Sequence, residues 1–140
     1  KIIDSISKKF KISTNPEITL EANPDDLSSI KVKELSNSFI NRLSIGIQSF
    51  NDKELKLMNR SHNSMEAKNC IDDALKYYDN ISIDLIFGMP DSNLKTWEYN
   101  LNYVTSLDLN HMSAYALTIE PKTALESFVK KILLNHWMKI

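Results

Sequence analysis

The sequence predicts an α/β protein with about four parallel strands and crossover helices in a barrel-like sheet. Three observations predict it. Apolar residues alternate between a period of two and a period of 3.6. The strand-like segments recur at intervals of roughly 25 to 40 residues, the rhythm of parallel sheets with helical crossovers. In the first three strands one side is apolar while the other is small or polar: Thr19, Glu21, Ser44, Gly46, Gln48, Ser82, Asp84. A doubly wound sheet buries both faces under helices and reads as nearly continuous hydrophobics, whereas a barrel lining that holds a ligand keeps polar groups inside.

The elements follow in order. Lys1 to Phe10 places Ile2, Ile3, Ile6 and Phe10 at helical spacing, and Ser13, Asn15 and Pro16 break the pattern. Glu17 to Ala22 alternates as a strand with Ile18, Leu20 and Ala22 on one side. Asn23-Pro24-Asp25-Asp26 is a turn into a helix whose inner stripe is Leu27, Ile30 and Leu35, with acidic residues suited to its first turn. The second strand, Arg42 to Ser49, has Leu43, Ile45 and Ile47 as its apolar side. Helices are expected over Asp52 to Met58 and over Met65 to Tyr78. The third strand, Ile81 to Gly88, sets Ile81, Ile83, Leu85 and Phe87 against Ser82, Asp84, Ile86 and Gly88, and Met89-Pro90-Asp91-Ser92 ends it. A helix from Leu94 to Leu107 carries Leu94, Trp97, Leu101 and Val104, and a fourth strand runs from His111 to Thr118 before Pro121.

Composition narrows the function. The chain has 140 residues, is 42% hydrophobic and carries a net charge of −1, so it can bury one core and has no basic surface for nucleic acid. No apolar run approaches the roughly 18 residues of a membrane span, and no signal peptide is visible. The single cysteine, Cys70, cannot form an intramolecular disulfide, which fits a reducing cytoplasm. It lies among Ala67, Ile71 and Ala74 and reads as a packing residue rather than a nucleophile. The chain opens inside an amphipathic helix without an initiator Met, which is expected of a piece of a longer protein. Of seventeen cations only Arg42 and Arg60 are arginines, and Gly46 and Gly88 are the only two glycines. Where lysine and asparagine are the default polar residues, each of these has a specific task to explain.

Glu21, Gln48 and Asp84 fall on the polar side of successive strands and in their later halves. Parallel βα architectures gather their ligand at the C-terminal strand ends. A carboxylate there is costly unless a polar partner compensates it, so the three together point to a polar ligand; the competing reading is that they satisfy neighbouring groups in the sheet. Arg60, beyond the second strand, is the natural clamp for a ligand carboxylate. His62 in a loop reads as solvated, and His111 and His136 offer no metal spacing. With one cysteine the chain itself holds no zinc or iron–sulfur site. Neither GxGxxG, GxxxxGK[ST] nor a Gly-x-Ser-x-Gly elbow occurs, and no catalytic residue is assigned.

Five segments occur in order at characteristic intervals: Glu17-Ile-Thr-Leu-Glu-Ala-Asn-Pro24, Asn41-Arg-Leu-Ser-Ile-Gly-Ile-Gln-Ser-Phe-Asn51, Asn59-Arg-Ser-His62, Ile81-Ser-Ile-Asp-Leu-Ile-Phe-Gly-Met-Pro90 and Ser113-Ala-Tyr-Ala-Leu-Thr-Ile-Glu-Pro-Lys-Thr123. Together they resemble the radical S-adenosylmethionine (SAM) family of oxygen-independent coproporphyrinogen III oxidases and heme chaperones, over about residues 1 to 129. Glu-Ala-Asn-Pro, Ile-Gln-Ser-Phe, Arg-Ser-His and Leu-Thr-Ile-Glu-Pro look like the chaperone branch; the oxidase branch has Asp-Pro, Gln-Asp-Phe and Arg-Glu-Gln in the first three.

The resemblance implies a partial (βα)6 TIM-like barrel of the radical SAM type, of which these are strands three to six. Residues 1–129 are then the central part of the barrel domain and 130–140 an atypical tail. SAM-contacting positions of the family match Glu21, Gln48, Arg60 and Asp84, with Thr118 a weaker match. The implied cofactors are SAM, a [4Fe–4S] cluster and, in the full protein, heme; the implied partners are heme or porphyrin and heme-accepting proteins. The family's Cys-x3-Cys-x2-Cys loop and a glycine-rich strand motif are expected upstream of Lys1, so this chain alone is not expected to perform radical chemistry. The expected function is heme chaperoning. The alternatives are decarboxylation of coproporphyrinogen III propionates to protoporphyrinogen IX, and a small α/β metabolite-binding domain without iron.

Overall fold

The computed structural model describes residues 2–90 and 92–137. Its helices and strands alternate as α1 (Ile2–Ser7), β1 (Thr19–Ala22), a 3-10 turn (Pro24–Asp26), α2 (Ser29–Ser36), β2 (Arg42–Gln48), α3 (Asp52–Leu57), α4 (Ser64–Leu75), β3 (Ile81–Phe87), α5 (Leu94–Thr105), β4 (His111–Ala116) and α6 (Ala124–Trp137). The four strands form one parallel sheet in the order β1-β2-β3-β4. Sequential neighbours therefore lie side by side, each reached by a crossover through helix, and the α/β expectation of about four parallel strands matches the structure. Lys1, Asp91 and the last three residues of the 130–140 tail lie outside the described residues.

Alternation on β2 and β3 builds the core. Leu43, Ile45 and Ile47 are fully buried, as are Ile81, Ile83 and Leu85. They pack with Val32 of α2, with Ala67, Cys70, Ile71 and Ala74 of α4, and with Val104 of α5. Full burial of such an aliphatic side chain contributes about 1.5–3 kcal/mol, so this face dominates the stability. Small residues on α4 let that helix approach the sheet closely. Cys70 is part of the packing, and burial, with Asp73 adding to it, pushes its thiol up to about 12.

Besides the apolar stripe expected from Lys1 to Phe10, where Ile2, Ile6 and Phe10 are exposed, three expected core positions are not core. Ile30 is exposed and Val32 is buried in its place, because the chain first makes the 3-10 turn and α2 starts only at Ser29, rotating the helical stripe. Ser28 is the N-cap, its side chain accepting the Lys31 N–H at 3.2 Å. Leu94 is exposed because it opens α5 directly after the N-cap Asn93. Phe87 is partly exposed at the strand end and packs in a tilted arrangement against Trp97 instead, with ring centroids 5.4 Å apart. In the same α5 stripe Asn100 is buried, for a reason that lies at the end of β2.

Candidate functional site

The face of the sheet opposite the core opens into a cavity of about 540 Å³ toward the C-terminal strand ends. Such a volume is in the range of small-molecule sites. Glu21 of β1, Ser44, Gly46 and Gln48 of β2, and Asp84 of β3 line it, together with Asn23, Met58 and Arg60 from the following loops. Glu21 is paired in register with Ser44, and the Ser44 hydroxyl donates to Asp84 Oδ2 at 3.3 Å. Ile86, Leu117 and Leu125 give the cavity an apolar side.

Gln48 reaches the cavity through an irregularity. Ile45 pairs with Ile83 but Gln48 pairs with Leu85, so β2 carries one extra residue there, a bulge. Gln48 itself has φ of 65°, a left-handed conformation that costs an ordinary residue about 1–2 kcal/mol. Its Oε1 is buried without a hydrogen-bond partner. Gly46 is the reason the amide fits: a Cβ there would stand 3.1 Å from Gln48 Oε1 and 3.2 Å from its Nε2.

Arg60 is delivered by the end of α3. Asn59 adopts φ of 55°, the Arg60 N–H bonds the Leu55 carbonyl at 2.9 Å and the Asn59 N–H bonds that of Lys56 at 3.0 Å. This is a Schellman closure with asparagine in the left-handed position. The Arg60 Nη2 then donates to the Gly46 carbonyl at 3.1 Å and to Asn23 Oδ1. A guanidinium has five N–H donors, so these bonds orient it and leave others for a ligand.

Two residues on, His62 is buried rather than solvated, and its Nε2 lies 3.1 Å from the Ile47 carbonyl. Its loop is tied down by Asn63, which caps α4 in a reciprocal box with Glu66. Asp25 faces the same loop. Burial works to raise its pKa, but its backbone N–H, the Ser61 hydroxyl and then His62 and Arg60 together hold the carboxyl below its ordinary value.

Behind Gln48 a buried polar network anchors the turn into α3. The Ser49 hydroxyl donates to Glu54 Oε2 at 2.5 Å, and the Ser92 hydroxyl to Glu54 Oε1 at 2.6 Å. Asn100 Oδ1 accepts the Phe50 N–H at 2.9 Å while its Nδ2 donates to Ser49 Oγ at 3.1 Å. An unpartnered carboxylate or amide here would cost several kcal/mol, and the network supplies the partners. Asn100 on an otherwise apolar helical stripe was the signal for it in the sequence; Glu54 in a short charged helix left none.

The structure thus brings Glu21, Gln48, Arg60 and Asp84 to one cavity. Thr118 does not join them: β4 ends at Ala116, so alternation no longer directs the chain, Thr118 is exposed, and Leu117 lines the cavity instead. Asn23 is a lining residue that spacing did not single out, and Ser44, placed on the polar side by alternation, was not among the expected ligand contacts. No group of three His, Cys, Asp or Glu side chains among the described residues could hold a metal ion, and no helix among them is long and apolar enough to cross a membrane. Two carboxylates, an amide with an unpaired oxygen and a guanidinium suit a ligand that combines hydroxyl, amino and carboxylate groups.

Comparison with known proteins gives the chain's family and fold. The chain is 40% identical over 133 residues to the heme chaperone HemW of Bacillus subtilis (strain 168), covering 94% of this chain and 35% of that one. To HemW of Buchnera aphidicola subsp. Acyrthosiphon pisum it is 41% identical over 135 residues, 96% of this chain and 35% of the other. To the mouse protein named radical S-adenosyl methionine domain-containing protein 1, mitochondrial, it is 30% identical over 131 residues, 93% and 30% of the two chains. The chain therefore spans about a third of the length of the curated relatives it matches. Among solved structures, coproporphyrinogen III oxidase (HemN) from Escherichia coli superposes with a TM-score of 0.71 at 20% identity, over 95% of this chain and 35% of that one. Elp3 of Methanocaldococcus infernus does so with 0.69 at 20%, over 82% and 28%. At these identities the solved structures speak for the fold. The radical SAM superfamily model matches residues 1–104, and with four parallel strands and a polar cavity at their C-terminal ends, the chain belongs to the radical SAM superfamily.

Proposed function

We propose that the cavity is the binding site for SAM and that the whole protein is a heme chaperone. The observation that carries the first part is the convergence of Glu21, Gln48, Asp84 and Arg60 on one hollow, with Gln48 Oε1 unpaired. Arg60 holds the carboxylate of the methionine moiety through charge-assisted bonds from the N–H donors that its contacts with Gly46 and Asn23 leave over. Glu21 and Asp84 hold ribose hydroxyls or the ammonium, and Gln48 gives a neutral hydrogen bond that its unpaired oxygen would otherwise lack. SAM beside a [4Fe–4S] cluster supplies radical-initiating chemistry. This chain's part is to bind and orient the cofactor, because Cys70, its one cysteine, is buried in the core.

The heme-chaperone reading rests on relatives of 30–41% identity that bear that name, including those of Lactococcus lactis and Haemophilus influenzae. The likeness to the coproporphyrinogen oxidase is one of fold and supports oxidase activity less. The proposed partners are heme and the proteins that accept it, and the proposed compartment is the cytoplasm. Calorimetric titration of SAM into the 140-residue chain tests the site: we expect saturable 1:1 binding, and no heat of binding at millimolar SAM rejects it. For the whole protein, heme transfer to an acceptor without protoporphyrinogen formation is expected; protoporphyrinogen formation from coproporphyrinogen III rejects the chaperone reading.

A further inference from the structure

We infer that His62 is a positioning residue for the cofactor pocket: its buried imidazole holds the Ile47 carbonyl and through it the left-handed Gln48. This rests on the proposed SAM site and deepens it.

The extra residue of the β2 bulge takes backbone carbonyls out of the regular ladder, and buried carbonyls need donors. Two side chains of the segment after α3 supply them. Arg60, which lines the cavity, donates to Gly46, and the buried His62 meets Ile47. Ile47 is the residue next to Gln48, and the Ser49 N–H also bonds its carbonyl, at 2.9 Å. The peptide units on both sides of Gln48 are therefore fixed by one carbonyl, and His62 is the side chain that reaches it.

The imidazole's state follows from its partner. A carbonyl only accepts, so Nε2 carries the proton. Nδ1 has no hydrogen-bond partner, and Asp25 Oδ1 lies 3.8 Å away, beyond hydrogen-bond reach. His62 does not line the cavity, which separates it from the ligand-contacting Arg60 two residues earlier. A residue serving only to fill the core has no need of a donor aimed at this one carbonyl.

The test compares H62Q, which keeps a donor at nearly the same reach, with H62M, which keeps volume and loses it. The two readouts are the SAM dissociation constant and the exchange rate of the Ser49 amide, referred to that of Ile71 in the core. H62M is expected to weaken SAM binding and to speed Ser49 exchange relative to Ile71, each by about tenfold, with H62Q within about threefold of the parent. The inference is overturned if H62M leaves both unchanged, if H62Q falls with H62M, or if Ser49 and Ile71 exchange rise together. Should H62M not fold, the imidazole nitrogen spectrum of the parent chain decides: a slowly exchanging Nε2–H supports the inference and an Nδ1–H tautomer overturns it. If the parent chain does not bind SAM, the proposed site falls, while the exchange measurement still judges His62.

Discussion

At the start of β2, Arg42 lies across β1, its Nη1 3.2 Å from Thr19 Oγ1 and 3.9 Å from Glu17 Oε1. Beyond the other end of the same strand, Arg60 meets the Gly46 carbonyl and Asn23 over the cavity. These are the chain's only two arginines, and each bridges β2 to the segment around β1. Arg42 spends its hydrogen bond on a neighbouring strand side chain and its charge on a carboxylate that is mostly in water. Arg60 is oriented by backbone and amide groups and has no carboxylate within ion-pair distance among the described residues. The difference is one of location: in a parallel sheet the N-terminal strand ends are closed by ordinary surface contacts, while the C-terminal ends, where the loops diverge, leave polar groups facing a hollow.

Removing each arginine is the sharpest way to break the comparison. Arg60→Ala is expected to weaken SAM binding by about a hundredfold, and Arg60→Lys, a point charge without the planar fork, by about tenfold. Arg42→Ala in the same titration should stay within about twofold of the parent. Equal losses from the two would erase the distinction between the ends.

The buried network at the C-terminal end gives the next largest effect. Glu54→Ala leaves the Ser49 and Ser92 hydroxyls without their acceptor, which should cost about 1–3 kcal/mol in urea unfolding. The corresponding deletion at the N-terminal end, Arg42→Ala, removes a long ion pair whose Glu17 carboxylate is mostly in water and should cost less than about 1 kcal/mol.

Gly46→Ala sharpens the comparison within the cavity. The added Cβ would stand 3.1 Å from Gln48 Oε1 and 3.4 Å from Asn23 Oδ1, so the amide must give way. SAM affinity should fall by about tenfold while the urea midpoint moves little, since no core contact is lost.

The smallest effect concerns Asp25, beside the Arg60 loop. Its folded pKa is lowered from 3.8: burial opposes the shift, but its own N–H, Ser61, His62 and Arg60 outweigh it. A depressed acid contributes stability that is present above its unfolded pKa and lost as pH falls through the folded value. The carboxylate is 40% exposed, so Asp25→Asn should lower stability by only a few tenths of a kcal/mol at neutral pH, with the difference from the parent disappearing as pH falls below about 4. A difference in the slope of stability with pH above about pH 6 would point to another cause.

Much of the cavity was legible because strand alternation is a strong constraint. Once Leu43, Ile45 and Ile47 face helices, Ser44 and Gly46 must face the other way. Glu21 and Asp84 follow by the same rule. Gln48 is instructive, since it lies past the point where β2 slips register against β3. The alternation that singled it out does not itself carry through the bulge; the left-handed turn and the carbonyl bonds around it bring the amide back to the cavity. Thr118 shows the rule failing without such a device, two residues beyond the end of β4. His62 misled for a related reason: a loop histidine reads as solvated, and only the folded chain reveals that its loop is pressed against the bulge.

Local spacing and residue type were enough to determine the apolar face of the inner strands, which polar side chains oppose it, and the helix-and-strand order as far as β4 though not the following α6, because these depend on periodicities of 2 and 3.6 along the chain. The tertiary structure decided where periodicity breaks: the extra residue in β2, the buried partners of Glu54 and Asn100, and the reach of Arg60 and His62 back to β2. Those choices depend on which carbonyls and hydroxyls lack donors or acceptors once the sheet has formed, and no stretch of sequence contains that information until its distant partners are beside it.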